Sequence, residues 1–172
     1  MASFNQYAFI ALGSNIGHSR AILREAAHLL ASFSSTPLVA SSIWKTTPVD
    51  CPPGSPDFFN AVVGIRPVPA LSPEELLEKL QEIERAFGRV RKTVLNEARP
   101  LDLDILFFRG ETKSTQSLIL PHPRAHQRKF VLAPLAEIAP ELELVDRKTV
   151  SQFLSELKSG EQISRLEPLI ES

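Results

Sequence analysis

One stretch constrains the fold more than any other, because residues 99–108 place two aspartates inside an otherwise apolar strand. Alternate side chains of a strand point to opposite faces, so Asp102 and Asp104 are expected to share one face. The opposite face would carry Leu101, Leu103, Ile105 and Phe107. Carboxylates at this spacing lie ~6.6 Å apart at Cα and suit one or two Mg²⁺ ions. The alternative is a partly exposed edge strand with solvated aspartates.

The length of 172 residues predicts one domain over 1–172, with a core of ordinary size. The net charge of −1 disfavours broad affinity for nucleic acid or membranes, so an anion site would have to be local. A lone cysteine, Cys51, excludes an internal disulfide and predicts a cytoplasmic protein. No apolar run is long enough to span a bilayer, and the N-terminus lacks signal-peptide features.

The N-terminal half predicts strands separated by a helix. Residues 7–12 predict a central strand, and the turn from Gly13 to Gly17 is interpreted as structural, with phosphate binding as the alternative. Ser19 is a plausible N-cap of an amphipathic helix whose apolar positions are Ile22, Ala26, Leu29, Leu30 and Phe33. Residues 38–46 predict a second strand, followed by a proline-rich loop.

Alternation over residues 57–66 predicts a strand with Phe58 and Asn60 on one face. An aromatic ring two residues from a carboxamide could stack on a flat heterocycle and hydrogen-bond its edge. The alternatives are core packing for Phe58 and a backbone partner for Asn60.

A helix is predicted from Ser72 to about Phe87, because Ser72, Pro73 and Glu75 form a capping box with proline at the first position. Gly88 is the expected residue after the helix. Glu84 flanks the buried stripe and is either half-buried or a surface charge.

Two cationic segments follow. Residues 88–99 have no periodicity and predict a mobile loop that carries Arg89, Arg91, Lys92 and Arg99, whose guanidinium groups suit phosphate oxygens. A solvated charged loop remains the alternative, above all for Lys92.

The second cationic segment begins at His122, which lies between two prolines that fix its backbone. Arg124, Arg128 and Lys129 follow it and give a cluster of positive charge. A short buried helix comes after Phe130, and Val150, Phe153, Leu154 and Leu157 predict a C-terminal helix. Beyond Ser159 the tail carries little information.

Five motifs occur in a fixed order along the chain. They are Gly13-Ser14-Asn15, Pro56-Asp57-Phe58-Phe59-Asn60-Ala61, Gly88-Arg89-Val90-Arg91, Arg99-Pro100-Leu101-Asp102-Leu103-Asp104 and Pro121-His122-Pro123-Arg124. Over about residues 6–140 the sequence resembles the 6-hydroxymethyl-7,8-dihydropterin pyrophosphokinases. The resemblance implies a ferredoxin-like α+β sandwich, with an antiparallel four-stranded core sheet and helices packed on one face. It also implies pyrophosphate transfer from ATP to a pterin in folate synthesis, with release of AMP.

The resemblance also implies roles for individual residues. Asp102 and Asp104 would bind two Mg²⁺ ions, and Phe58 and Phe130 would sandwich the pterin. Asn60 and the backbone near Thr46 and Val49 would read the edge of the pterin. The phosphate-contacting residues would be Arg89, Arg91, Arg99, His122 and Arg128, with a contribution from Lys92. Gln81, Glu84 and Ile105 would shape the nucleotide pocket. Small molecules are the expected partners, and a monomer is favoured.

The sequence departs from the family at Leu95-Asn96-Glu97-Ala98, where members commonly carry Arg-Trp-Gly-Pro, and at Ser117, where some have arginine. These departures concern turnover more than substrate identity. Two other classes remain open. One is a non-catalytic ligand-binding domain on the same fold. The other is a metal-dependent nuclease or RNA-binding sandwich, which the near-neutral charge disfavours.

Overall fold

A computed structural model describes residues 4–47, 54, 56–88 and 100–171. The strands are β1 (Ala8–Ser14), β2 (Val39–Ala40), β3 (Ser42–Thr46), β4 (Phe58–Ile65), β5 (Asp102–Phe108), β6 (Lys113–Ser114), β7 (Ile119–Leu120) and β8 (Ile163–Pro168). The helices are α1 (Ser19–Leu30), α2 (Pro73–Ala86), α3 (Lys129–Ile138) and α4 (Val150–Glu156).

The main sheet is antiparallel and has the order β5-β1-β4-β3-β8, with the short β2 also paired to β4. β6 and β7 form a separate two-stranded ribbon. The two strands at the centre, β1 and β4, are distant in sequence and pair over seven residues, from Ala8–Ile65 to Ser14–Phe59. An antiparallel sheet with helices packed on it confirms the predicted α+β class.

Helices cover both faces of the sheet rather than one. On the first face, α1 and α2 pack on apolar side chains of β1, β4 and β5, including Ile10, Val63 and Ile105. On the second face, α3 and α4 pack on a smaller cluster that includes Phe9 and Val62. The expectation of helices on one face is therefore incomplete, because the C-terminal helices form a second layer.

Local sequence signals explain the helix ends. At α2 the Ser72 hydroxyl accepts from the Glu75 N–H at 3.1 Å, and the Glu75 carboxylate accepts from the Ser72 N–H at 3.2 Å. The helix ends at Ala86, and Gly88 has a φ of +91°, which favours glycine. At α1 the N-cap position belongs to His18, and Ser19 is the first helical residue, so the helix begins one residue earlier than predicted.

Two strands are less regular than their sequences suggest. A register shift in the β1–β5 pairing, opposite Phe9 and Ile10, places Phe107 in the second apolar cluster rather than with Leu103 and Ile105. The expectation that Phe107 shares their face is wrong, because a bulge reverses the alternation beyond it.

The predicted strand over 38–46 is interrupted at Ser41. There the Ser41 hydroxyl accepts from the Val62 N–H at 2.9 Å and donates to the Ser42 carbonyl at 2.7 Å.

The C-terminal tail forms a strand that sequence patterns did not reveal. β8 pairs with β3 and becomes the sheet edge, and Glu167 accepts hydrogen bonds or ion pairs from Arg20 and Arg24 of α1. The Thr47 N–H also donates to the Gln162 carbonyl at 3.2 Å. Among the helices of the described residues, none combines the length and apolar character required to cross a membrane.

Candidate functional site

The sheet brings residues from three strands into one row on its second face. Asp102 of β5 pairs with Gly13 of β1, and Gly13 pairs with Asn60 of β4. Residues directly opposite in a ladder point to the same face, so Asp102 and Asn60 face the same space, about 10 Å apart across two strand spacings. Trp44 of β3 continues the row beyond Asn60.

Asp102 and Asp104 lie on this face as the sequence predicts, and both are half-buried. Asp104 pairs with Ala11, one step further along the strand towards the apolar cluster. Leu103, between the two aspartates, is 5% exposed and packs on the opposite face. The alternation therefore separates the carboxylates from the main core.

Glu84 fixes the outer edge of this strand. Its carboxylate is only 7% exposed and accepts a hydrogen bond from the Leu103 N–H at 2.8 Å. Within the described part of the chain β5 is the edge of the sheet, so no strand there pairs with this N–H on that side. A charge-assisted bond satisfies it, and Glu84 is a buried anchor of the aspartate strand rather than a surface charge.

Asn60 is held in place by its neighbours. Its Nδ2 donates to the Thr46 hydroxyl at 3.1 Å, and both residues are nearly buried. A Cβ added at Gly13 would lie 3.1 Å from Asn60 Oδ1, so the absence of a side chain there allows the amide to sit against the backbone. Asn60 thus presents a fixed amide at the border of the site.

Two aromatic rings belong to elements that border the same space. Phe58 is half-buried, pairs with Thr46 in the β3–β4 ladder, and shares the face of Asn60 by alternation. Phe130 lies in the first turn of α3, which packs on β3 and β4. The Arg128 guanidinium carbon lies 5.7 Å from the centre of the Phe130 ring, within the range of a cation–π contact.

His122 is fixed beside the aspartate strand. The backbone N–H of His122 donates to the Leu106 carbonyl at 3.0 Å. The ring Nδ1 accepts from the backbone N–H of Arg124 at 3.1 Å. Burial lowers the pKa of His122 to about 4, and the nearby positive charges of Arg128 and Arg124 act in the same direction against the opposing effect of Asp102. The ring is therefore neutral at pH 7, and its Nε2–H is left as a hydrogen-bond donor.

Several residues predicted for the site cannot be compared with the structure. Val49, Arg89, Arg91, Lys92 and Arg99 lie outside the described residues, as does most of the loop expected over 88–99. Their roles remain predictions.

The two other residues expected at the nucleotide pocket differ from each other. Gln81 is exposed on α2, three residues before Glu84. Ile105 is 3% exposed in the first core cluster, so only its backbone is available to a ligand.

Two residues of the site were missed by sequence reasoning. The sequence predicts Gly13 as part of a structural turn, yet it lies inside β1 between Asp102 and Asn60. A glycine within an apolar strand is itself a signal of close approach by a neighbour. Trp44 drew no attention, although it is the only tryptophan of the chain and stands two residues before Thr46.

The donor set fits a hard divalent cation that shares its coordination with a ligand. Among the described residues no group of three or more His, Cys, Asp or Glu side chains could hold a metal ion. Mg²⁺ is usually bound by only one or two carboxylates, with water and substrate phosphates completing the octahedron. Two half-buried aspartates on one strand face match that pattern.

Comparison with known proteins shows the family to which the sequence is similar. A family model described as 7,8-dihydro-6-hydroxymethylpterin-pyrophosphokinase (HPPK) matches residues 9–140. A 2-amino-4-hydroxy-6-hydroxymethyldihydropteridine pyrophosphokinase of Bacillus subtilis is 46% identical over 140 residues, which cover 81% of each chain. A protein of the same name from Haemophilus influenzae is 39% identical over 157 residues, covering 91% of this chain and 96% of its own.

Solved structures support the fold. A structure described as Plasmodium falciparum HPPK-DHPS wild type with pteroate has a TM-score of 0.67 at 13% identity. The match covers 87% of this chain and 44% of that chain, so the present chain spans less than half of the longer protein.

Proposed function

The chain belongs to the 7,8-dihydro-6-hydroxymethylpterin-pyrophosphokinase family, and on this premise we propose that it transfers pyrophosphate from ATP to 6-hydroxymethyl-7,8-dihydropterin. The hydroxymethyl oxygen would attack the β-phosphorus, the bond from that phosphorus to the α,β-bridging oxygen would break, and AMP would leave. The product would serve folate synthesis. The observation that carries the proposal is the row in which Asp102, Gly13 and Asn60 stand side by side on one face of the sheet.

The pterin half of the site would lie at Asn60. Its amide offers both a donor and an acceptor, and its bond to Thr46 holds it in one orientation. Phe58 and Phe130 would pack on the two faces of the ring, since both belong to elements that border this space. A neutral, flat heterocycle with polar edges suits this combination of groups.

The nucleotide half would lie towards Asp102 and Asp104. We propose that these carboxylates hold two Mg²⁺ ions together with phosphate oxygens. Mg²⁺ bound there would neutralise charge on the triphosphate and keep the β-phosphorus in line with the attacking hydroxyl. Because a carboxylate bound to a cation loses most of its basicity, Asp102 would be a ligand rather than a general base.

Cationic and neutral donors would bind the rest of the triphosphate. Arg128 and the Nε2–H of His122 stand next to the aspartate strand and can donate to phosphate oxygens. We extend this role to Arg89, Arg91, Lys92 and Arg99, on the basis of the family resemblance. No covalent intermediate with the protein is needed, so positioning and charge neutralisation would supply the catalysis.

The reaction products test this proposal directly. The purified protein is incubated with ATP, Mg²⁺ and the pterin alcohol, and the nucleotides and pterins are separated. AMP in equal amount with a pyrophosphorylated pterin is the expected result. Formation of ADP would indicate an ordinary kinase instead, and calorimetry without Mg²⁺-dependent ATP binding would favour a non-catalytic domain. The lone cysteine is compatible with a cytoplasmic enzyme.

A further inference from the structure

A single carboxylate joins the last turn of α3 to the strand beside the site. Glu137 Oε1 accepts from the Trp44 indole Nε1–H at 2.6 Å and from the Ser42 N–H at 3.0 Å. Glu137 Oε2 accepts from the Ser42 hydroxyl at 2.9 Å. Three donors on one strand therefore converge on one side chain of the helix, and all three bonds are charge-assisted.

Trp44 links this contact to the site. It pairs directly with Asn60 in the β3–β4 ladder and stands two residues before Thr46, so all three side chains lie on the second face of the sheet. The indole N–H bonds to the helix, and the indole ring lies next to Asn60 in the row. A shift of α3 relative to β3 would therefore change the position of this ring.

α3 itself connects the contact to the aromatic wall. Phe130 lies in the first turn of the helix and Glu137 near its end, seven residues and about 10 Å further along the axis. Pro134 lies between them and lacks the N–H that would bond to the Phe130 carbonyl, so packing holds the two ends of the helix in register: Val131, Leu132 and Leu135 are buried in the second apolar cluster. Holding the end of this packed helix therefore helps to fix the height of its first turn above the sheet. The distance between Phe130 and the strand residues Phe58 and Asn60 is thereby set from the far end of α3.

We propose that Glu137 and Trp44 are positioning residues that set the width of the space between α3 and the strands, and hence the affinity for the pterin ring. The inference rests on the function proposed above. A contact that served stability alone would affect both substrates and turnover together. A positioning contact would act on the pterin selectively, because the aspartates of β5 lie two strands away from β4, and Glu137 binds the strand beyond β4.

The test compares Glu137→Ala with Glu137→Gln and with Glu141→Ala. Glutamine can still accept from Trp44 and Ser42 and donate to the Ser42 hydroxyl, so it is the conservative variant. Glu141 is an exposed turn residue four positions further on and serves as the matched control. We measure KM for both substrates and kcat, and we titrate the pterin without nucleotide by quenching of Trp44, the only tryptophan.

The expected result is a rise of about tenfold in KM and Kd for the pterin in Glu137→Ala, since several charge-assisted bonds are lost. KM for ATP and kcat should stay within about twofold of wild type, and Glu137→Gln should restore most of the pterin affinity. The position of the Trp44 emission maximum should shift in Glu137→Ala, because its indole loses its acceptor.

Pterin affinity in Glu137→Ala equal to that of Glu141→Ala would overturn the inference, as would a parallel loss in all kinetic constants. If Glu137→Ala does not fold, Trp44→Phe removes the indole donor while keeping an aromatic ring, and it should raise the pterin KM about threefold. An unchanged KM in that variant would also overturn it. A wild-type protein that forms no AMP would instead overturn the proposed function, and the binding titration would still decide the positioning role.

Discussion

The two faces of the central sheet are built from the same strands but have opposite characters. On the first face the inward side chains of β1 and β4 are apolar except for Ser14, whose hydroxyl donates to the Ser19 hydroxyl at 2.9 Å, and α1 and α2 pack over this face. On the second face α3 and α4 cover an apolar patch around Val62, while the neighbouring row of Asp102, Gly13 and Asn60 remains polar. The first face can supply stability and the second can supply chemistry. Substitutions should therefore separate the two properties.

The largest effect is expected from the aspartates of the second face. Asp102→Ala or Asp104→Ala should lower kcat/KM about a thousandfold, because each removes a proposed metal ligand. This factor corresponds to a loss of several kcal/mol of transition-state stabilisation. The midpoint of thermal unfolding should change little, since both side chains are half-buried outside the apolar clusters. Steady-state kinetics and a melting curve on each variant check this, with Glu141→Ala as the surface control. Near-normal turnover in a folded variant would contradict the metal assignment.

A core residue of the first face should show the reverse behaviour. Leu23 of α1 is fully buried, and Leu23→Ala should lower the free energy of unfolding by about 3 kcal/mol through the cavity it leaves. Its KM values at a temperature where it is folded should match wild type. Urea denaturation measures the change, and Leu29→Ala on the same helix is the control, because Leu29 is 41% exposed. A selective loss of substrate affinity in Leu23→Ala would show that the faces are coupled.

A smaller effect is expected from a substitution at Gly13, which lies between Asp102 and Asn60 in the row. Alanine there would bring its Cβ to 3.1 Å from Asn60 Oδ1 and push the amide aside. We expect the KM for the pterin to rise about fivefold, which corresponds to about 1 kcal/mol. Gly160→Ala is a suitable control, since a Cβ at Gly160 meets no atom within 4 Å. Equal pterin KM values in the two variants would mean that Asn60 does not contact this substrate.

An effect of similar size concerns the pH dependence of stability. Burial, Arg128 and Arg124 lower the pKa of His122 from 6.5 to about 4, so the unfolded chain binds this proton more readily than the folded protein does. The associated stability is complete above pH 6.5 and is lost as the pH falls towards 4. For a partly exposed ring the loss should be about 1 kcal/mol after solvent screening.

Urea midpoints at pH 7 and pH 4.5 would measure this loss in wild type and in His122→Asn, which keeps an acceptor for the Arg124 N–H. The variant should lose less stability on acidification than wild type. If both lose the same amount, the titration of His122 is not linked to folding.

Local patterns predicted much of what lies within a single element. The capping box at Ser72, the alternation that separates Asn60 from the core, and the shared face of Asp102 and Asp104 are all confirmed. Each depends on backbone geometry over a few residues, which the side-chain types themselves specify. The family resemblance added the prediction that Phe58 and Phe130 sandwich a pterin, which periodicity could not have supplied.

Long-range features escaped the sequence for a physical reason. The bulge that moves Phe107 to the second face, the break at Ser41 and the edge strand β8 depend on which strand lies alongside, and no local signal encodes that neighbour.

The chain alone determined that two carboxylates would share a strand face and that an amide and a ring would share another. Only the tertiary structure decided that these faces are the same one. The sheet order β5-β1-β4 brings strands from distant parts of the chain together. Gly13, which has no side chain, lies between Asp102 and Asn60. Strand order is set by the packing of whole apolar faces, a property of the assembled core rather than of any one segment.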